Sequence, residues 1–168
     1  ELVSRVLAER FAVYATRGNL NNHIGVPLTL LSMTRDTEFG VVEMGASARG
    51  ELALLSSIAE PNYGILTNIG LAHLPEGIRR GKGELFDFLA ANGGRAFVPS
   101  DDQVLTDMAS ERDSLATEYY PVSLADGMEN HLEGAYNRYN IAAAVAVGRY
   151  FDIPDERIRH AVAGYVPD

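Results

Sequence analysis

The sequence predicts a three-layer α/β/α domain built on a mostly parallel sheet. Short apolar runs bounded by glycine, at 39–45 and 63–69, read as strands buried on both faces. Segments of helical periodicity alternate with them from end to end, the signature of a parallel sheet covered on both sides. No internal repeat or low-complexity linker interrupts the pattern, so 1–168 reads as a single domain.

Residues 1–11 read as a helix, with Leu2, Val3, Val6, Leu7 and Phe11 forming one apolar stripe. No capping residue precedes Glu1 and no methionine opens the chain, so the sequence is expected to start inside that helix. Residues 12–15 read as a short strand. They feed the amide-rich stretch 16–27, which is either a plain connection or a ligand-lining loop on a rigid scaffold. An apolar helix is expected over 28–33.

The run 39–45 is the strand around which the other elements are arranged, and Glu43 closes it. Ligands of open parallel sheets bind beyond the carboxyl ends of strands. Glu43 is therefore a hard-cation ligand or a group pairing with a buried base, or else a cap for the helix expected over 50–59. Residues 45–52 have the glycine spacing of a phosphate loop. Glu51 and Leu52 stand where that motif requires Lys and Ser or Thr, which excludes it.

The strand at 63–69 leads to His73, beside Glu43 if the two strands are neighbours. A lone histidine there is ordinarily a hydrogen-bonded structural residue, and magnesium prefers oxygen ligands. Lys82 precedes a helix over 83–91 and by itself reads as a solvated lysine. A strand follows at 95–98. Ser100 to Gln103 then reads as a capping box with Ser100 as N-cap. Another strand is expected at 119–122, with 124–133 irregular. Residues 134–140 enter a helix over 141–151. Asn137 and Asn140 are three apart and share a helical face, where they either cap the helix or read the edge of a base. Pro154 opens a last helix that ends near Gly164.

With 23 acidic and 14 basic residues the net charge is −9, which excludes a general nucleic-acid surface. The absence of cysteine excludes disulfides, thiolate metal sites and cysteine nucleophiles. The longest apolar run, 141–147, is too short to span a bilayer, so no membrane insertion is expected. No basic and apolar leader opens the chain, so no signal peptide is expected, and the lack of cysteine is compatible with the cytoplasm.

The strings GNLNNHIGVPLTLL, VVEMGASARGE, TNIGLAHL, KGELFDFL and GAYNRYN, in that order, resemble the central domain of the Mur ligases. Within that family the first string is similar to the branch that adds D-alanyl-D-alanine to UDP-N-acetylmuramoyl-tripeptide. The resemblance implies a phosphate-loop-type fold and an ATP-dependent ligase of peptidoglycan synthesis, acting through an acyl phosphate with Mg2+. By the same resemblance, Glu43 and His73 match the magnesium-binding residues. Lys82 matches a lysine that CO2 carbamylates, giving an anion that helps to hold a second magnesium. Asn137 and Asn140 match the adenine contacts. Thr16, Asn19, Asn21 and Asn22 match the loop that faces the nucleotide-sugar substrate and the phosphates.

The chain departs from the family pattern in four places. The Gly-Lys-Thr phosphate loop expected just before Glu1 is not in the sequence, and the spacing from His73 to Lys82 is short. The stretch between Tyr120 and Gly134 is short as well, and Tyr136 stands where relatives usually have histidine. The family's own N- and C-terminal domains would flank these residues. The 168 residues alone are therefore expected to fold without ligase activity and to bind Mg-ATP no better than millimolar, about 4 kcal/mol. Two other readings are a related amide ligase such as folylpolyglutamate synthase and a non-catalytic binding module.

Overall fold

The computed structural model describes residues 1–67 and 76–167. Helix α1 (Leu2–Ala8) leads to β1 (Val13–Ala15), α2 (Gly25–Leu31), β2 (Phe39–Val41), α3 (Glu51–Ala59) and β3 (Tyr63–Ile65). Then follow α4 (Glu76–Asn92), β4 (Arg95–Pro99), α5 (Gln103–Ser110), β5 (Ala116–Tyr120), a 3-10 turn (Val122–Ala125), α6 (Asn137–Tyr150) and α7 (Asp155–Ala163). Every strand pairing is parallel. β1 lies beside β2 with Val13 opposite Phe39, and β4 lies between β3 and β5 with Arg95 opposite both Tyr63 and Ala116.

The expected layers are present, because alternate residues of β4 feed different cores. Phe97 joins Val6, Ile141 to Val147, Ile158 and Val162, the core beneath α1, α6 and α7. Ala96 and Val98 join Leu85, Phe86, Leu89, Leu105 and Met108, the core beneath α4 and α5. Helix α6 is short in side chains, with Ala142 to Ala144 fully buried. A Cβ on Gly148 would lie 2.6 Å from Val6 and 2.9 Å from Ile158, so α1 and α7 approach α6 as closely as a glycine allows.

At the N-terminal ends of the strands, the Phe151 ring meets Phe39 of β2 at 4.8 Å and Tyr63 of β3 at 5.1 Å. Phe11 adds to it against Phe39 at 4.7 Å, and Tyr150 against Phe97 at 5.2 Å. Each such pair is worth about 0.5–1.5 kcal/mol beyond its buried area. This aromatic seam joins the two sheets. β2 and β3 themselves are not paired among the described residues.

Several elements differ from the sequence expectation. The run at 39–45 is a strand only over Phe39–Val41, and it is half-buried rather than buried on both faces. In a two-stranded sheet β2 is an edge, so its periodicity overstates its cover. The strand at 63 likewise stops at Ile65. The first helix ends at Ala8, α2 begins at Gly25 where Asn22 caps it, and α6 begins at Asn137. Lys82 lies inside α4, not at its start: α4 runs through Gly81 and Gly83, and at Gly83 a Cβ would lie 2.7 Å from the Arg112 guanidinium. Tertiary contact there overrides helix propensity.

The capping box is also corrected. Asp102 is the N-cap of α5, accepting from the Leu105 N–H at 3.0 Å, and Gln103 is the first helical residue. Ser100 is otherwise engaged, its hydroxyl donating to the Tyr120 carbonyl, while Asp101 accepts from the Val122 N–H. Among the described residues no helix is long and apolar enough to cross a membrane.

Two buried hydroxyls, Tyr120 and Ser56, lack a hydrogen-bond partner among the described residues. Burial pushes the Tyr120 phenol well above its usual range. A buried hydroxyl without a partner opposes folding, so Tyr120→Phe is expected to be neutral or stabilising by up to about 1 kcal/mol. Thermal unfolding checks this: a melting temperature lowered by more than about 4 °C would mean that the hydroxyl is satisfied.

Candidate functional site

The site is built where the loop after β1 folds against the chain leaving β2. The Thr16 N–H donates to the Val41 carbonyl at 3.0 Å, extending the β1–β2 pairing by one residue. The Thr16 hydroxyl then accepts from the Glu43 N–H at 2.9 Å. Asn21 donates its side-chain amide to Glu43 Oε1 at 3.0 Å, while its carbonyl accepts from the Gly45 N–H at 2.8 Å. The Asn21 amide lies 3.0 Å from where a Gly45 Cβ would stand, so glycine keeps this contact open. Thr16, Asn21 and Glu43 are thus brought together beyond a strand's carboxyl end, with the exposed carboxylate held by Asn21 and its backbone by Thr16.

The other loop amides have different tasks. Asn22 Oδ1 accepts from the N–H groups of Ile24 and Gly25 and so caps α2. Asn19 is exposed, and its carbonyl accepts from the Asn21 N–H to close the turn. Next to this loop an open cleft of about 370 Å³ is lined by Asn22, His23, Ser47, Glu51 and Leu54. A second open cleft lies between α1 and the end of β1, lined by Glu1, Arg5, Tyr14, Thr16 and Arg17.

Carboxylates of the chain itself fill the start of α3. Glu51 accepts from the Ser47 and Ala48 N–H groups at 2.7 and 3.0 Å. Glu84, from α4, accepts from the Gly50 and Ala53 N–H groups at 2.7 and 3.0 Å. The donors that would hold a phosphate in a phosphate loop are therefore occupied, consistent with the exclusion of 45–52 from that motif.

Lys82 is half-buried on α4. It is the one lysine in a chain with 14 basic residues. That singularity was available in the sequence and weakens the reading of Lys82 as an ordinary solvating charge, since arginine meets that need everywhere else. Asn137 and Asn140 do share a face: Asn140 donates to Asn137 Oδ1 at 3.0 Å, and the buried Asn137 donates to the Glu133 carbonyl at 2.6 Å. The Tyr136 ring is exposed and packs over Gly134. His73 lies outside the described residues, so its placement beside Glu43 stays an expectation. Glu84 carries no signal in the sequence, because its partners Gly50 and Ala53 are brought in by the fold, whereas Ser47 bonds Glu51 only four residues on, a spacing that could have been found.

Among the described residues no three His, Asp or Glu side chains gather into a metal cluster. Glu43 nevertheless suits magnesium, which takes one or two protein carboxylates and completes its shell with phosphate oxygens and water.

The Ser47 and Ala48 N–H groups hold the Glu51 carboxyl below its usual range. A depressed value means that this cap contributes above the unfolded carboxyl's pKa of about 4.3 and is lost as pH falls through the folded value. Amide protection at Ser47 and Ala48 is expected to hold from pH 7 down through the ordinary carboxyl value of about 4.3 and to fall toward that of Glu51→Gln only at lower pH. Hydrogen exchange read by NMR checks this, and pH-independent protection would remove the carboxylate from the role.

The chain as a whole is similar to known proteins. The family model described as the Mur ligase middle domain matches residues 1–129. A UDP-N-acetylmuramoyl-tripeptide–D-alanyl-D-alanine ligase of Bacillus subtilis (strain 168) is 33% identical over 98% of this chain and 41% of its own length. The enzyme of the same name from Treponema pallidum (strain Nichols) is 30% identical over 99% of this chain and 41% of its own length. A crystal structure of MurF from Acinetobacter baumannii superposes with a TM-score of 0.82 at 25% identity, over 99% of this chain and 43% of that one. The chain thus spans about two fifths of the length of these relatives. It belongs to the Mur ligase family, in the part of it that forms the middle domain.

Proposed function

We propose that this chain is the central, ATP-binding domain of a cytoplasmic ligase of peptidoglycan precursor synthesis. In this reading the ligase joins D-alanyl-D-alanine to UDP-N-acetylmuramoyl-tripeptide. The observation that carries the reading is the clasp of Thr16 and Asn21 on Glu43, in which Asn21 comes from the string GNLNNHIGVPLTLL that resembles this branch of the family. The names of the relatives support the substrate pair. Flanking N- and C-terminal domains fit the share of those relatives that the chain leaves uncovered.

Glu43 would hold Mg2+ together with His73, and a carbamate on Lys82 would take part at a second ion. The ions supply positive charge where the transferring phosphoryl group and the acyl phosphate gather negative charge. Asn21 fixes the direction of the Glu43 carboxylate, and Thr16 fixes the backbone on which it stands. Thr16, Asn19, Asn21 and Asn22 present the loop to the nucleotide-sugar substrate and the phosphates. The Asn137–Asn140 pair has donors and acceptors left over after its internal bonds, enough to meet the edge of an adenine.

The reading is tested in the full-length ligase by phosphate release dependent on both substrates; no release with this pair would reject it. Lys82→Ala is expected to lose most activity, with partial recovery on adding a small carboxylate such as formate. Normal turnover in that variant would remove Lys82 from the chemistry.

Asn137→Ala is expected to raise the KM for ATP about fivefold, the equivalent of one lost hydrogen bond at ~1 kcal/mol. Its magnesium dependence should not move. If Asn137→Ala and Asn140→Ala both kept the wild-type KM, the pair would be a helix-start structure only.

A further inference from the structure

Resting on the reading just given, we infer that Glu84 is a positioning residue that sets Lys82 relative to the turn following Glu43. Glu84 is bidentate on the first turn of α3, its two oxygens 2.7 Å from the Gly50 nitrogen and 3.0 Å from the Ala53 nitrogen. It stands two residues after Lys82 on α4, so the helix that carries the lysine is bonded to the segment that begins at Glu43. Gly81 faces the same turn, where a Cβ would make ordinary contact, 3.7 Å from the Ala48 carbonyl and the Arg49 Cα. Arg112 holds the opposite side of the same stretch of α4, donating to the Gly83 carbonyl at 3.3 Å and to Asp87 at 2.7 Å. Lys82 therefore sits on a length of helix pinned from both sides.

The bonds form a continuous path. Asn21 links Glu43 to Gly45, Glu51 ties down Ser47 and Ala48, and Glu84 takes Gly50 and Ala53. Of these groups only Glu84 comes from the helix that bears Lys82. A carboxylate accepts from two N–H groups at once, whereas a glutamine offers one oxygen and turns an NH2 toward the second donor. Glu84→Gln thus removes one bond and sets donor against donor while keeping the size of the side chain. A residue that merely capped α3 would affect stability alone, so the readouts must separate position from stability.

The experiment compares Glu84→Gln and Glu84→Ala with Asp102→Ala in the full-length ligase, well below the melting temperature. Asp102→Ala uncaps α5 and serves as the control for lost stability. The Glu84 variants are expected to lower kcat at least tenfold with KM for ATP within twofold. Amide exchange at Gly50 and Ala53 should speed up at least tenfold. The rate at which Lys82 is acetylated, read by mass spectrometry on its peptide, should change threefold or more, and the control should leave that rate and kcat unmoved. Unchanged Lys82 labelling with faster exchange at Gly50 and Ala53 would reduce Glu84 to a helix cap and overturn the inference, as would unchanged exchange. If the wild-type protein shows no ligase turnover, the proposed function falls, while labelling and exchange still decide the role of Glu84.

Discussion

Helix α6 is the constraint on which both sheets depend, and its hold comes from how little side chain it carries between Ala142 and Gly148. Leucine at those positions would keep α1 and α7 at ordinary interhelical distance; alanine and glycine let them close in. The 2.6 Å approach of Val6 to the Gly148 Cβ position leaves no room for even one methyl group. Overpacking of this kind typically costs 1–3 kcal/mol, a large part of a domain's net stability. The same helix carries Asn137 and Asn140 at its start and continues into Phe151 at its end, so one rod spans from the candidate adenine contacts to the aromatic seam.

The candidate site shows a division between what holds and what is free to react. Backbone N–H groups at the start of α3 are consumed by Glu51 and Glu84, leaving that helix end satisfied by the protein itself. Glu43, by contrast, is exposed and, among the described residues, accepts from the Asn21 side chain through Oε1. A ligating carboxylate needs this combination, fixed in direction by a neighbour yet with coordination capacity left. Among the described residues, polar groups satisfied within the protein surround a carboxylate with acceptor capacity left over.

Much of this was legible in the sequence wherever a residue acts through its near neighbours. The alternation of strands and helices, the shared face of Asn137 and Asn140, the rejection of 45–52 as a phosphate loop and the end of α7 at Gly164 all depend on spacing along the chain. Residues that act across the fold were not legible. Glu84 reads as a helical surface acid, and nothing local says that its partners are Gly50 and Ala53. Ser100 reads as an N-cap until the Tyr120 carbonyl takes its hydroxyl and leaves the cap to Asp102. The depth of β2 was misread for a related reason: an apolar run states what could be buried, while the neighbouring strands decide how much is.

The aromatic seam makes the joining of the two sheets visible to light. The chain has no tryptophan and eight tyrosines, so tyrosine dominates its near-ultraviolet absorption. Tyr63 and Tyr150 stand edge to face with ring centres 5.9 Å apart, and Phe151 packs edge-on to both. Rings fixed at such distances in a chiral setting couple their transitions, so they give circular dichroism that freely rotating rings do not. One of the two tyrosines enters from β3, and Phe151 links both to Phe39 of β2. The near-ultraviolet band therefore carries a contribution from the contact between the sheets, separable from the helix signal of the far ultraviolet. Loss of the first before the second on heating would mark separation of the sheets as an event distinct from melting of the helices.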